Sequence, residues 1–235
     1  MRVLQLTDPV FPAKQFGWAE KSVSDDGESV GKSVYNKLSN ALMQGQLNPD
    51  ERLKIRDLAQ LMQTSVTPVR DAVLQLVQEG ALVMRSPRDI RVRRVARKEY
   101  LEIRDIRVEL EGMAAGAAAE SVQSNDIALL QSLILENENA IGQGRFVDAV
   151  RLNQAFHFEY CRLAGMPTLL EILNKLWIKM GPLIAQSYVQ GGRDMVDYHY
   201  PLIEALLRND SRAARIAVQT DIISGGKSIL ERFKD

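Results

Sequence analysis

Between Ala81 and Val95 the chain carries its strongest constraint on fold. Ala81-Leu82-Val83-Met84-Arg85 is strand-like, Ser86-Pro87-Arg88-Asp89 has turn composition, and Ile90-Arg91-Val92-Arg93-Arg94-Val95 alternates apolar with basic residues. A period of two puts successive side chains on opposite faces of a strand, so the segment reads as a hairpin. From Lys98 to the end nothing resembles it. Helical patterns cover roughly 98–121, 126–142, 146–163, 168–189, 198–208 and 211–233, separated by Gly, Pro or Asn-Asp breaks. A chain with one hairpin and helical periodicity elsewhere is mainly α, and 235 residues suffice for two modest domains.

Upstream of the hairpin, Val34, Leu38, Leu42 and Leu47 recur near helical spacing, predicting a first helix that ends around Gly45, with a turn at Asn48-Pro49-Asp50. Ile55, Leu58, Ala59 and Met62 share one face of a short amphipathic helix. Thr64 or Ser65 can cap the next, Pro68 fits its first turn, Val69, Ala72, Val73, Leu76 and Val77 form its buried stripe, and Gly80 closes it. Helix, tight turn, helix and hairpin in this order describe a winged helix-turn-helix. The expected organisation is an arm over 1–28 with no helical periodicity and partial disorder, a winged helix-turn-helix over 29–95, and an all-helical bundle of about six helices over 96–235.

Thirty basic residues balance thirty acidic ones, so the whole-chain charge suggests no partner. The distribution does. Val30 to Val95 holds eleven basic and six acidic residues, an excess of five positive charges that the rest of the chain offsets. Basic charge concentrated on a helix-turn-helix is what an electrostatic footprint on DNA requires. The single cysteine, Cys161, excludes an intramolecular disulfide and suits core packing. No apolar run approaches the roughly 18 residues of a membrane span, and the first residues lack a signal peptide's apolar stretch, so the expected location is the cytoplasm.

The run Ile55-Arg56-Asp57-Leu58-Ala59, then Thr64-Ser65-Val66-Thr67-Pro68-Val69-Arg70-Asp71-Ala72, then Leu76 and Glu79-Gly80 closely resembles the winged helix-turn-helix of the GntR family of bacterial transcription regulators. In such a pair the N-terminal residues of the second helix meet base edges in the major groove. The resemblance implies DNA contacts at Arg56, Thr67 and Arg70, the last forking onto guanine or pairing with a phosphate. Free amides beside Ser65 favour a phosphate oxygen, and Arg88 and Arg91 flank the wing turn. The bland alternative is capping by Ser65, helix initiation by Pro68 and surface ion pairing by Arg70, which leaves the basic clustering unexplained. Val66 stands where the family usually has arginine and Asp89 where the wing usually has glycine. Both departures imply a shifted site preference, and a wing aspartate repels phosphate.

Tyr100-Leu101-Glu102-Ile103-Arg104-Asp105-Ile106-Arg107-Val108-Glu109-Leu110-Glu111, followed by an alanine-rich run, resembles the opening helix of the FCD ligand-binding domain in the FadR branch of that family. The chain has only two histidines. His157 lies one helical turn after Asn153, and His199 and Asp221 are nearly equidistant from the Asn209-Asp210 break, hence level if the two flanking helices fold back antiparallel. Isolated histidines are more often hydrogen-bonded core residues than ligands. In the FCD pattern, however, these four places hold one aspartate and three histidines around a divalent metal. The resemblance therefore implies a site of Asn153, His157, His199 and Asp221, with an amide in place of the carboxylate and a carboxylate in place of one imidazole, still suited to zinc or nickel. It also implies a small carboxylate effector anchored in part by a cation, for which Arg107 is the candidate. The competing reading of Arg107 is a surface pair with Glu111 at i, i+4.

The expectation is a metabolite-responsive repressor binding a near-palindromic operator as a homodimer. Two other readings are a hydrolytic metal enzyme and a DNA-binding protein whose bundle only dimerises. The first lacks a Gly-x-Ser-x-Gly elbow, a P-loop or a dinucleotide fingerprint, and the second would be marked by failure to bind metal or ligand.

Overall fold

The structure, a computed structural model, describes residues 29–233, so the expected N-terminal arm lies outside the described residues. Helix α1, Val30–Met43, starts where the Ser29 hydroxyl accepts the Lys32 amide and buries Val34, Leu38, Ala41 and Leu42. Helix α2, Ile55–Leu61, and helix α3, Val66–Gln78, follow. The turn between them passes through Gln63 at φ 52°, the left-handed region that lets two helices meet at a sharp angle. Val69, Ala72, Val73 and Leu76 give α3 its buried face, and Gly80 at φ 76° ends the segment where a side chain would be strained.

The hairpin consists of β2, Leu82–Ser86, and β3, Asp89–Val92, antiparallel with Met84 opposite Ile90. One short strand was not legible in the sequence: β1, Arg52–Leu53, pairs antiparallel with β3 and makes the sheet three-stranded in the order β1-β3-β2. Two residues are too few to display a period, and only the β3 edge selects them.

Beyond the sheet the described chain is helical: α4 Arg97–Ser121, α5 Ser124–Gly142, α6 Phe146–Leu163, α7 Pro167–Gly191, α8 Tyr200–Leu207 and α9 Ser211–Glu231. Among the described residues none of these is long and apolar enough to cross a membrane. The sequence predicted a helix from 198. Instead a 3-10 turn, Asp197–His199, leads into α8. Pro201 explains this, because it offers no amide to continue α-type bonding upstream. Helices α4 and α9 form the most extensive helix pair, with Gly112 against Arg215 and Gln219, and Gly116 against Ser211. Cys161 is buried, and its thiol pKa is pushed up by burial and by the nearby Glu111 carboxylate.

The winged helix and the bundle meet where α1 crosses α7. A Cβ on Gly181 would stand 2.5 Å from the Met43 Cα and its carbonyl oxygen, so the two backbones touch with no room for a side chain. Gly181 is one turn from Trp177, which reaches into the centre of the bundle.

Candidate functional site

On α3 the N-terminal turn is open to solvent. Ser65, Thr67 and Arg70 are exposed, and so is Arg56 of α2. Ser65 is the N-cap residue, yet its hydroxyl makes no capping bond, which leaves both the hydroxyl and the first amides of α3 able to meet an anion. Pro68 falls in the first turn, where its missing amide costs no helical bond.

The wing differs from the expected electrostatics. Asp89 does not project as a bare negative charge: its carboxylate lies 2.8 Å from Arg91 Nε and 3.7 Å from Arg52 Nε. Asp50 in turn takes Arg85 and Arg91. Arg91 is thus engaged inside the sheet, half-buried between two carboxylates, whereas Arg88 is exposed at the turn and its carbonyl accepts from Arg52.

In the bundle, α4 turns Tyr100, Arg104, Arg107 and Glu111 to one side by the i, i+4, i+7, i+11 rule, and α6 does the same with Asn153, His157 and Tyr160. Asn153, His157, His199 and Asp221 are all buried. His157 Nε2 lies 3.4 Å from one Asp221 oxygen and His199 Nε2 lies 3.6 Å from the other. An ion with tetrahedral donors at about 2.0–2.2 Å would separate them by roughly 3.3–3.6 Å, so this spacing fits one. Asn153 borders a cavity of about 40 Å³ with His157 and Asp221, and Tyr100, Arg104 and Arg107 form another part of its wall.

Both ring nitrogens of His199 are buried without a hydrogen-bond partner among the described residues. Such a group normally costs about 1–3 kcal/mol. Burial also holds the His199 pKa well below its ordinary value, so the imidazole is neutral with a lone pair available. Burial raises the Asp221 pKa to about 6, against the opposing pull of His157.

Glu111 organises this site, and sequence reasoning missed it. Its side chain has no exposure, and it accepts from Arg107 Nε at 2.6 Å, Trp177 Nε1 at 3.1 Å and the Tyr160 hydroxyl at 2.7 Å, with His157 Nδ1 at 2.8 Å. Burial alone would raise its pKa. Arg107, and after it His157, more than offset that and keep the carboxylate ionised. An ionised Glu111 fixes the His157 proton on Nδ1 and turns the Nε2 lone pair toward Asp221, as the carboxylate–histidine pairs behind metal sites do. The Arg107–Glu111 pair therefore exists at the expected i, i+4 spacing but in the interior, with the guanidinium 4.3 Å above the Trp177 ring. One signal was available. The small-residue run Gly112 to Ala119 marks this part of α4 as enclosed by neighbours, which makes a solvated Glu111 implausible.

The chain matches the family model "Bacterial regulatory proteins, gntR family" over residues 31–92 and the FCD domain model over 102–223. It belongs to the GntR family, in the group that carries an FCD domain, and is a transcription regulator rather than an enzyme. It is 32% identical over 191 residues to the HTH-type transcriptional regulator McbR of Escherichia coli, covering 80% of this chain and 86% of that one. The solved E. coli McbR/YncC structure superposes with a TM-score of 0.81 at 30% identity, over 88% of this chain and all of that one. A probable D-xylose utilization operon transcriptional repressor of Paenarthrobacter nicotinovorans is 29% identical over 81% of this chain and 84% of its own length.

Glu111→Ala should destabilise the protein by about 3–5 kcal/mol, because it strands the buried Arg107 charge. Replacing both residues together, as Arg107→Met with Glu111→Leu, should recover much of that loss. Chemical denaturation of the three variants measures both effects.

Proposed function

We propose that this regulator reads an operator through α3 and the wing, and that a divalent metal with a small carboxylate in the bundle controls that reading. The observation supporting the DNA contact is the open N-terminal turn of α3, where Ser65, Thr67 and Arg70 are exposed and the first amides lack a side-chain cap, with Arg56 of α2 exposed as well. At the wing turn, Arg88 is exposed with no ion pair to a described residue, which suits it to a backbone phosphate. Arg91 contributes by pinning Asp89 and Asp50, which removes the repulsion a bare aspartate would exert. The protein would act in the cytoplasm as a repressor.

The metal reading rests on His199. A buried imidazole with two unused nitrogens, facing a buried carboxylate and a second imidazole already oriented by Glu111, is arranged for a cation. His157, His199 and Asp221 would hold zinc or nickel, with Asn153 as the neutral fourth donor from the cavity wall. When bound, an ion that takes five or six ligands would offer a further position to a carboxylate. The charges then balance. Arg107 and Glu111 cancel one another, Asp221 leaves one positive charge on a dication, and one carboxylate neutralises it. Arg107 in this scheme orients Glu111 as much as it attracts the effector, while Arg104, at the cavity wall and only partly exposed, is the cation nearer solvent.

Helix α7 is the proposed route from effector to DNA. Trp177 bonds Glu111 and Gly181 touches α1, so a shift at the metal centre moves the seat of the winged helix. Effector and operator affinities must then be reciprocally coupled.

A second copy of the chain would dock on the exposed face of α4 and α9. Ile106 and Met113 on α4, and Ile216 and Ile223 on α9, are each spaced by seven residues and are 40–52% exposed, with the Glu109–Arg215 ion pair spanning the two helices. A winged helix reads one half-site, and a two-fold copy supplies the other half of a near-palindrome.

Selection of operator duplexes from a genomic pool should enrich a short inverted repeat, and Arg70→Ala should weaken binding to it by about 1–3 kcal/mol. Unchanged affinity would remove Arg70 from the interface. Sedimentation should give the mass of two chains for the wild type and of one for Ile216→Glu, and a dimeric variant would move the contact elsewhere. Zinc titration should reach one equivalent per chain. Because Asp221 must lose its proton to ligate, affinity should fall as pH drops below about 6, about tenfold per unit. A flat profile between pH 5 and 7 would exclude Asp221 as a ligand.

A further inference from the structure

The first turn of α3 differs in chemistry from the rest of the basic half. Past the Ser65 cap its side chains are Val66, Thr67, Pro68 and Val69, of which Val69 is buried in the core. The turn therefore offers solvent the half-buried Val66 isopropyl group, the exposed Thr67 with its methyl and hydroxyl, and the half-buried Pro68 ring. No side chain among these four can fork onto a base edge. The next cation, Arg70, stands one turn further along.

Helical spacing fixes which of these groups act together. Val66, Arg70 and Leu74 follow one another at i, i+4 and i+8, so one side of α3 carries an exposed guanidinium between two apolar groups, with Leu74 39% exposed. Attraction to phosphate accounts for Arg70 and for neither apolar neighbour. Val66 is the better placed of the two, because the N-terminal residues of such a helix are the ones that meet base edges. It is also stiff. A β-branched side chain has one strongly preferred rotamer in a helix, and packing against the core on its inner side holds Val66 there. An outward methyl already set in place loses little freedom when it meets a partner.

The apolar feature of base edges in the major groove is the C5 methyl of thymine. We propose that Val66 reads a thymine methyl, so that each half-site carries a T·A pair facing the start of α3, beside the group that Arg70 takes. The inference rests on the operator reading given above and deepens it by naming the base. Thr67 is the neighbouring methyl, but its hydroxyl suits it equally to a hydrogen bond with any base or with phosphate. Discrimination by an apolar contact releases no counterions, so the preference for thymine is independent of salt even though overall affinity is not.

The test takes the inverted repeat enriched from a genomic pool and replaces each thymine of one half-site in turn by deoxyuridine, which deletes only the methyl. Fluorescence anisotropy titrations compare the full-length wild type with Val66→Ala and Thr67→Ser. At one thymine the wild type should lose about fourfold in affinity, the worth of one methyl returned to water, by the same factor at low and high salt. Val66→Ala should bind the thymine and deoxyuridine duplexes alike. Wild type should also bind a cytosine at that position better when it is 5-methylated, a comparison that needs no variant to fold. An operator in which no thymine methyl matters to the wild type overturns the proposal. So does a penalty that Val66→Ala retains, or one that Thr67→Ser abolishes. If no duplex is enriched at all, the operator reading itself falls, and this inference with it.

Discussion

A carboxylate without access to water must have its charge met by neighbours, and at Glu111 four side chains from three helices do so. Arg107 comes from one turn earlier on α4, His157 and Tyr160 from α6, and Trp177 from α7. Each contact fixes something else. Arg107 is held over the indole, His157 is held in the tautomer that frees Nε2, and Trp177 is held at the point where α7 begins its run toward α1. Removing the carboxylate would release all three, which is why the hub is a condition for both the placing of His157 beside Asp221 and the link from the bundle centre to the winged helix.

The same economy appears in the wing. Five basic groups in excess on a small domain would repel one another and destabilise it, and Asp50 and Asp89 take up part of that charge through Arg52, Arg85 and Arg91. The arginines that remain uncommitted point outward at the wing turn and on α3. At the seam with the bundle, Arg93 is likewise taken up by Glu99.

Much of the fold was legible because amphipathic spacing is a local property. The α3 stripe from Val69 to Leu76, the period-two run from Ile90 to Val95 and the breaks at Asn209-Asp210 each fix an element from a few neighbouring residues. The alignment of His199 with Asp221 could be anticipated from equal distances to a turn. Strand β1 could not, since two residues have no period and gain their structure only from the edge of β3. The 3-10 turn before α8 hinged on one proline whose effect reaches upstream.

The sequence by itself determined the helix-turn-helix and wing, the concentration of basic charge on that half, and the pairing of Asn153 with His157 and of His199 with Asp221. These follow from periodicity, turn chemistry and spacing, which act over a few residues, while the resemblance to the FCD pattern is what joined the two pairs into one site. Only the tertiary structure decided that the Arg107–Glu111 pair is interior rather than solvated and that Asp89 is neutralised inside the wing. Burial and long-range charge are properties of packed helices, and residues far apart in the chain acquire their meaning from what the fold sets beside them.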